Sequence, residues 1–393
     1  MQSRKRQSLV TAHRWLGLGL LVWFVMLGLT GSVLVYQEEI DAWLNPHLLF
    51  DPAPKRTPSA QWVLDSALNS FPAAAVERIR MPQRPGEVYR LVLRERAQVR
   101  IGSPRFEAMF SSSEAALLGR RRLDTYGLSA PELMRTVYDL HHRVLLGNPG
   151  KTAVGIVGGL LLVMISLGFL IALPRKQGAR AWRTMVGIKL GAHRARLVFD
   201  LHRSVGVCAF VLLLVSTATG FALAFPDYAR DALGLFSGVR TLPVVPFIQR
   251  EDLPNAAIDP LLWVAERSHP GANVSEIHLP QRRSGPMLVY LREESDWQRR
   301  GDTLLMIDPA TGVVKLEHGT QSRSGGERVF HSLFPIHSGV AWGEVGRAIM
   351  FVSGLLPLCL SVTGILIWRR KRKAASVARS RKGGASNLRS AAN

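Results

Sequence analysis

His13-Arg14-Trp15-Leu16-Gly17-Leu18 and His202-Arg203-Ser204-Val205-Gly206-Val207 open two long apolar runs in the same way. Seventeen residues after each histidine comes Thr-Gly, at Thr30-Gly31 and at Thr219-Gly220. An ionisable imidazole at the mouth of a lipid-length apolar segment is expensive, so its default reading is functional. A matched pair points to one shared ligand.

Working outward, four segments are long and apolar enough to cross a bilayer, at about 15–36, 152–173, 204–225 and 348–368. The first is not read as a cleaved signal peptide, because Tyr36-Gln37-Glu38-Glu39 follows it in place of a small-residue cleavage site. Charge sets the orientation. Residues 1–14, 174–203 and 369–393 carry +20 of the net +21, with Asp200 their sole acid. By the positive-inside rule both termini and the middle loop face the cytoplasm. A sequence pI near 11.1 is then explained by a membrane address and contact with anionic lipid. No recognition motif accompanies the charge, so nucleic acid is not an expected partner. The two cysteines, Cys208 and Cys359, form no C-x-x-C-H attachment, so any haem is held by coordination alone.

The layout divides into an N-terminal segment and first span (1–36), an outer domain (37–150), a second span (151–173) and a basic cytoplasmic loop (174–203). A third span (204–226), a second outer domain (227–343), a fourth span (344–368) and a basic cytoplasmic tail (369–393) complete it. The halves repeat. A shift of 196 lays His141 on His337, Gly147 on Gly343, Gly150 on Gly346, Lys151 on Arg347 and Gly168 on Gly364, and brings Arg175-Lys176 onto Lys371-Arg372. A shift of 198 lays Met81-Pro82-Gln83-Arg84 on Leu279-Pro280-Gln281-Arg282. Helices are expected near 59–70 and 259–268, and strands at 89–93 and 287–291. Leu304 to Val314 reads as strand, turn and strand, with Thr311-Gly312 at the turn. The expected fold is therefore a membrane α-helical protein: a four-helix bundle built from two parallel hairpin repeats, each carrying a periplasmic α+β domain.

Parallel repeats are related by a pseudo-two-fold axis along the membrane normal. His13 and His202 should then face each other near the cytoplasmic surface, and His141 and His337 near the outer one. Seventeen residues of straight helix cover about 25 Å, nearly the hydrocarbon thickness. Such layers suit haem, a hydrated metal ion or a proton path. Carboxylates are nearly absent from the apolar segments, which weakens the last two. Two imidazoles from opposite helices suit a six-coordinate haem iron. Gly17, Gly28, Gly31, Gly206 and Gly220 either make room for a macrocycle or let helices pack closely. Arg14 and Arg203, with Arg143, Lys151 and Arg347 further out, either pair with propionates or anchor the helices. His142 and His331 are alternative ligands for the outer layer, and His193 a weaker one for the inner. His47, His269, His278 and His318 read as surface residues.

With those residues in view, the chain resembles the PepSY-associated transmembrane proteins, also called iron-regulated membrane proteins. The resemblance rests on the two His-Arg-x-x-Gly openings, the His141-to-Gly147 and His337-to-Gly343 spacings, and Thr363-Gly364 followed by Trp368-Arg369-Arg370. Ile307-Asp308-Pro309-Ala310-Thr311-Gly312 adds to it. Within the family the chain looks most like the di-haem ferric-siderophore reductases of the Gram-negative inner membrane. That resemblance implies two b-type haems, with His13, His202, His141 and His337 as axial ligands. It also implies electron transfer to a periplasmic ferric siderophore, releasing Fe²⁺ during iron uptake. The electron donor would be a cytoplasmic reductase docking on the basic loop, or membrane quinol. Ser166-Leu167-Gly168 departs from Thr-Gly, Pro174 stands where the family often has Trp, and 106–114 has no Asp-Pro-x-Thr-Gly turn. The rivals are an oxidoreductase for another ferric or cupric complex, a siderophore or metal permease, and a non-enzymatic module that binds peptide or restrains a protease.

Overall fold

The structure is a computed structural model that describes residues 2–51, 58–95, 104–174, 178–239, 257–280, 285–319 and 322–390. Arg175-Lys176 and Gln281-Arg282 of the repeat alignment lie outside the described residues. In chain order the helices are α1 (Gln2–Gly19), α2 (Leu21–Val35), α3 (Gln37–Leu44), α4 (Pro46–Leu49), α5 (Ala60–Ser70), α6 (Ala130–Arg143) and α7 (Gly147–Ala172). Then come α8 (Ala179–Val186), α9 (Arg194–Cys208), α10 (Phe210–Ala224), α11 (Pro226–Gly234), α12 (Ile258–Ser268), α13 (Gly325–Ser338) and α14 (Gly343–Ser390). The strands are β1 (Ala74–Arg80), β2 (Tyr89–Glu95), β3 (Arg105–Phe110), β4 (Leu117–Arg122), β5 (Asn273–His278), β6 (Met287–Arg292), β7 (Thr303–Ile307) and β8 (Val314–His318).

The chain forms two compact units, and each draws on both sequence halves. The helical unit holds the residues up to Val35, Asp139–Pro226 and those from Ile336 onward; the sheet unit holds Tyr36–Tyr138 and Asp227–Pro335. In the helical unit, α7 and α14 are long and apolar enough to cross a membrane. The other two apolar runs are not the straight helices expected at 15–36 and 204–225. Each is a bent pair, α1 with α2 at 62° and α9 with α10 at 58°, and counting each pair as one span makes four. The breaks at Leu20 and Ala209 fall three residues after Gly17 and Gly206, at the same position of the repeat. No proline stands in either run; glycine is the local element that lets the backbone turn. Hydrogen bonding continues across the breaks, from Leu20 N–H to the Leu16 carbonyl and from Ala209 N–H to that of Val205. A straight-rod distance between histidine and Thr-Gly is therefore an upper bound.

The bends exchange partners. Before them α1 packs on α7 and α9 on α14; beyond them α2 packs on α14 and α10 on α7. Gly28 and Gly354 bring α2 and α14 to backbone contact: a Cβ at Gly28 would lie 2.5 Å from the Gly354 carbonyl oxygen. Ser32 Oγ beside them donates to the Phe351 carbonyl at 2.7 Å. Leu20, Phe24, Leu161, Met164, Ala209 and Leu213 fill the unit's core. Such small-residue approaches are how apolar helices gain packing energy where lipid removes the hydrophobic drive.

The sheet unit is one antiparallel sheet in the order β4-β3-β2-β1-β5-β6-β7-β8. What the sequence suggests as two separate α+β domains is thus a continuous eight-stranded sheet, joined where β1 pairs with β5. The expected helices and strands are present within one or two residues. Ser59 caps α5 by accepting from Trp62 N–H at 3.2 Å. Ala67 of α5 and Ala265 of α12 pack with Leu91, Ile277 and Leu305 in one core. The join has its own symmetry. Ile79 pairs with Ile277, its counterpart at a shift of 198, and Arg78 pairs with His278 while Arg80 pairs with Glu276. Met81 N–H bonds the Ser275 carbonyl at 2.9 Å, and Leu279 N–H bonds that of Glu77 at 3.0 Å. Each bond is the two-fold copy of the other.

The missing turn of the first half is also there, in other residues. Asp308 N–H donates to the Val313 carbonyl at 2.9 Å, and Ser111 N–H to that of Ala116 at 2.8 Å. Gly312 has φ +70°, and Ala115 takes the matching position at φ +54°. Asp308 Oδ1 accepts from Ala310 N–H at 2.9 Å where Ser111 Oγ accepts from Ser113 N–H at 3.1 Å.

Candidate functional site

Residues i, i+3 and i+4 of a helix lie on one face. Four helices of the helical unit use that face in the same way: a carbonyl at i, usually Thr at i+3, and Gly at i+4 seat one histidine. On α7, Met164, Leu167 and Gly168 receive His13, whose Nδ1 is 3.0 Å from the Met164 oxygen. On α14, Leu360, Thr363 and Gly364 receive His202, with Nδ1 3.1 Å from the Leu360 oxygen and 2.9 Å from Thr363 Oγ1. On α10, Ser216, Thr219 and Gly220 receive His337, at 3.0 Å from the Ser216 oxygen and 3.1 Å from Thr219 Oγ1. On α2, Leu27, Thr30 and Gly31 receive His141, with Nδ1 2.9 Å from Thr30 Oγ1 and bonded to the Leu27 carbonyl.

The glycines are seats. A Cβ would lie 2.9 Å from Cε1 of His13 at Gly168, 2.9 Å from that of His337 at Gly220 and 3.1 Å from that of His141 at Gly31. At Gly364 the corresponding distance, to His202, is 3.5 Å.

These contacts set the tautomer. A carbonyl oxygen only accepts, so Nδ1 carries the proton and donates. The threonines act with it: Thr30, Thr219 and Thr363 send their own hydroxyl hydrogens back to the carbonyls of Met26, Val215 and Cys359, at 2.6, 2.7 and 2.8 Å. Their Oγ1 atoms are left to accept from Nδ1–H. Each ring keeps Nε2, with its lone pair, as the nitrogen for a ligand. The rings face each other in two pairs: His13 and His202 have centroids 6.4 Å apart, and His141 and His337 have centroids 6.3 Å apart.

Metal–imidazole bonds of about 2.0–2.1 Å, with about 1.1 Å from each nitrogen to its ring centre, put two rings on opposite sides of one ion roughly 6.3 Å apart. An Nδ1–H donated to a carbonyl is also the usual outer support of a ligating histidine. The ring spacing of both pairs therefore suits two histidines on one metal ion. Among the described residues no group of three or more His, Cys, Asp or Glu side chains gathers to hold a metal ion.

The sequence matches the PepSY-associated TM region family across residues 10–371. The chain belongs to the PepSY-associated transmembrane family. It is also 25% identical over 271 residues to an uncharacterised protein of Pseudomonas aeruginosa, covering 62% of this chain and 65% of that one, a little under two thirds of the relative's length.

Other candidate residues of this PepSY-associated protein make contacts of their own. Arg203 donates to the carbonyls of Met185 and Gly187, each at 2.9 Å, and pairs with buried Asp200 at 3.1 Å; it ties α8 to α9. Arg14 is exposed and lies over its neighbour Trp15. His142 takes a hydrogen bond from Arg143 at 3.3 Å. His193 caps α9 by accepting from Ala195 N–H. His331 belongs to the sheet unit, where its ring centroid lies 6.0 Å from that of His318. Burial, with Arg323 and His318 adding to it, lowers the His331 pKa to about 4.

Sequence reading misses the roles of Gly168 and Gly364. Thr363-Gly364 is visible as a third Thr-Gly, but its link to His202 exists only in the packing. The matched Gly147 and Gly343 both take a left-handed φ, +63° and +59°, where α7 and α14 begin. A Cβ at Gly150 would strike the Arg143 carbonyl, and one at Gly346 that of Gly339, its repeat equivalent.

The sheet unit carries a cleft of about 120 Å³ lined by Glu38, Arg80, Glu87, Glu276, Arg299 and Arg300. Burial alone would raise the Glu276 pKa; the His278 hydrogen bond and the charges of Arg80 and Arg78 outweigh it and hold it at about 2. Glu107 is likewise held at about 2 against its burial by Arg90 and Arg121.

Proposed function

We propose that this protein carries electrons across a bacterial inner membrane to a periplasmic ferric siderophore, using two b-type haems, one between His13 and His202 and one between His141 and His337. The observation that carries the reading is the repeated seat: four imidazoles with Nδ1 engaged and Nε2 left over, paired at a spacing that suits one iron each. A bound haem supplies one-electron redox chemistry. The residues hold both rings of each pair, keep Nε2 unprotonated and exclude water with the apolar core. The substrate's Fe³⁺ gains one electron and becomes Fe²⁺, which oxygen-rich chelators hold less tightly. The electron comes from a cytoplasmic reductase or from quinol.

The test is a visible spectrum of the purified full chain, followed by anaerobic mixing of the dithionite-reduced protein with ferric chelates and an Fe²⁺ trap. A reducible Soret band that re-oxidises as Fe²⁺ appears is expected. No Soret band, or no re-oxidation by any chelate, rejects the reading.

Two readings without a cofactor keep the family and the fold. The bends at Leu20 and Ala209 favour a permease, since interrupted helices commonly line transport sites. The sheet unit favours a peptide-binding or protease-restraining module. Chelate accumulation in vesicles carrying the haem-free protein would select the permease, and retention of a peptide by the same protein the module.

A further inference from the structure

Three of the four histidine seats are alike and one is not. Thr30, Thr219 and Thr363 accept from Nδ1 of His141, His337 and His202 at 2.9, 3.1 and 2.9 Å, beside the carbonyl at i. At the fourth seat the i+3 residue is Leu167, and among the described residues Nδ1 of His13 has the Met164 carbonyl alone, at 3.0 Å. The Gly168 seat beneath the ring is as close as the others, so the histidine is in place and lacks one acceptor. Acceptors on Nδ1–H push electron density toward Nε2; they raise ligand basicity and favour the more oxidised metal.

We propose that Leu167 makes His13 the least strongly donating of the four ligands and thereby sets the two redox sites apart, with the His13–His202 site the more readily reduced of the pair. Leu167 is a positioning residue by omission: it touches no reacting atom and acts through the hydrogen bond it fails to supply. The inference rests on the haem reading above.

The experiment is a spectroscopic redox titration of the full chain in wild type, Leu167→Thr, Leu167→Val and Thr363→Val. The His13→Ala protein shows which spectral component belongs to the His13–His202 site. In Leu167→Thr the new hydroxyl can bond the Val163 carbonyl behind it, as Thr363 bonds that of Cys359, and accept from His13. That component should be the higher of the two midpoints in wild type, fall in Leu167→Thr, stay in Leu167→Val, and rise in Thr363→Val. The other component should not move. Equal shifts in the Thr and Val variants at 167, no shift in the Thr variant, or a shift confined to the other component would overturn the proposal while leaving haem binding intact. Absence of any Soret band would overturn the parent reading and this one with it.

Discussion

The rings of His13 and His202, 189 positions apart in sequence, are centred 6.4 Å from each other with their planes turned by 66°. Neither seat is built by the helix that carries the histidine: α7 holds one ring and α14 the other. If one iron joins the pair, His13→Ala and His202→Ala should each remove the same haem, and His141→Ala and His337→Ala the other. Haem per protein should fall by about half in all four, with the two groups leaving different residual spectra. Retention of both haems in His202→Ala would refute the assignment.

Glycine spacing grades the seats. Gly220→Ala puts a Cβ 2.9 Å from His337 Cε1, closer than real contacts allow, whereas Gly364→Ala meets His202 at 3.5 Å, an ordinary contact. We expect Gly220→Ala to shift the spectrum and lower occupancy of the His141–His337 site several-fold, and Gly364→Ala to match wild type. Equal effects would mean that the glycines serve helix packing and not the rings.

Acid should loosen the sheet unit through two carboxylates. Glu107 and Glu276 both fall from 4.5 to about 2 on folding. A folded pKa below the unfolded one gives stability that is present above pH 4.5 and lost as pH falls toward 2. Each group contributes on the order of 3 kcal/mol, at about 1.4 kcal/mol per pKa unit. Glu276→Gln should flatten the pH dependence of sheet-amide hydrogen exchange between pH 4.5 and 2. An unchanged slope would show that the ion pairs with Arg78 and Arg80 carry no such linkage.

Ala115 sits at φ +54°, a region where a Cβ is strained. Ala115→Gly should raise stability by roughly 0.5–1 kcal/mol, because glycine takes this conformation without strain. Denaturant unfolding of the full chain would detect it; a destabilised variant would mean that the turn tolerates alanine for another reason.

Much of this architecture is legible in the chain because its signals are local or repeated. Apolar length marks α7 and α14, and the 196 shift aligns His141 with His337. The bends at Leu20 and Ala209 escape, since Gly17 and Gly206 look like any packing glycine in a membrane helix. The β1–β5 join escapes for another reason. Pairing across about 200 residues leaves no mark on either strand's alternation, and each half alone reads as a complete small sheet. At Ser111–Ala116 the turn hides because serine and a strained alanine do what aspartate and glycine do at 308–313. Arg203 shows the limit of composition: its bonds to the carbonyls of Met185 and Gly187 and its ion pair with Asp200 come from packing and leave no mark beside His202 in the sequence.

The self-matching join at Ile79 and Ile277 has a historical consequence. A residue that meets its own repeat equivalent on an axis is what a homodimer of a half-length chain would show, with the same patch buried on both copies. The crossed helices agree: α2 and α10 each leave their own half to pack in the other, as swapped arms do between protomers. A first half by itself would expose an unpaired strand edge at β1 and a bare flank on α7, surfaces that a second copy would cover. Two copies joined in one polypeptide need not be identical. Leu167 opposite Thr363, and Ser111 opposite Asp308, are differences that no symmetric dimer encoded by one gene can hold.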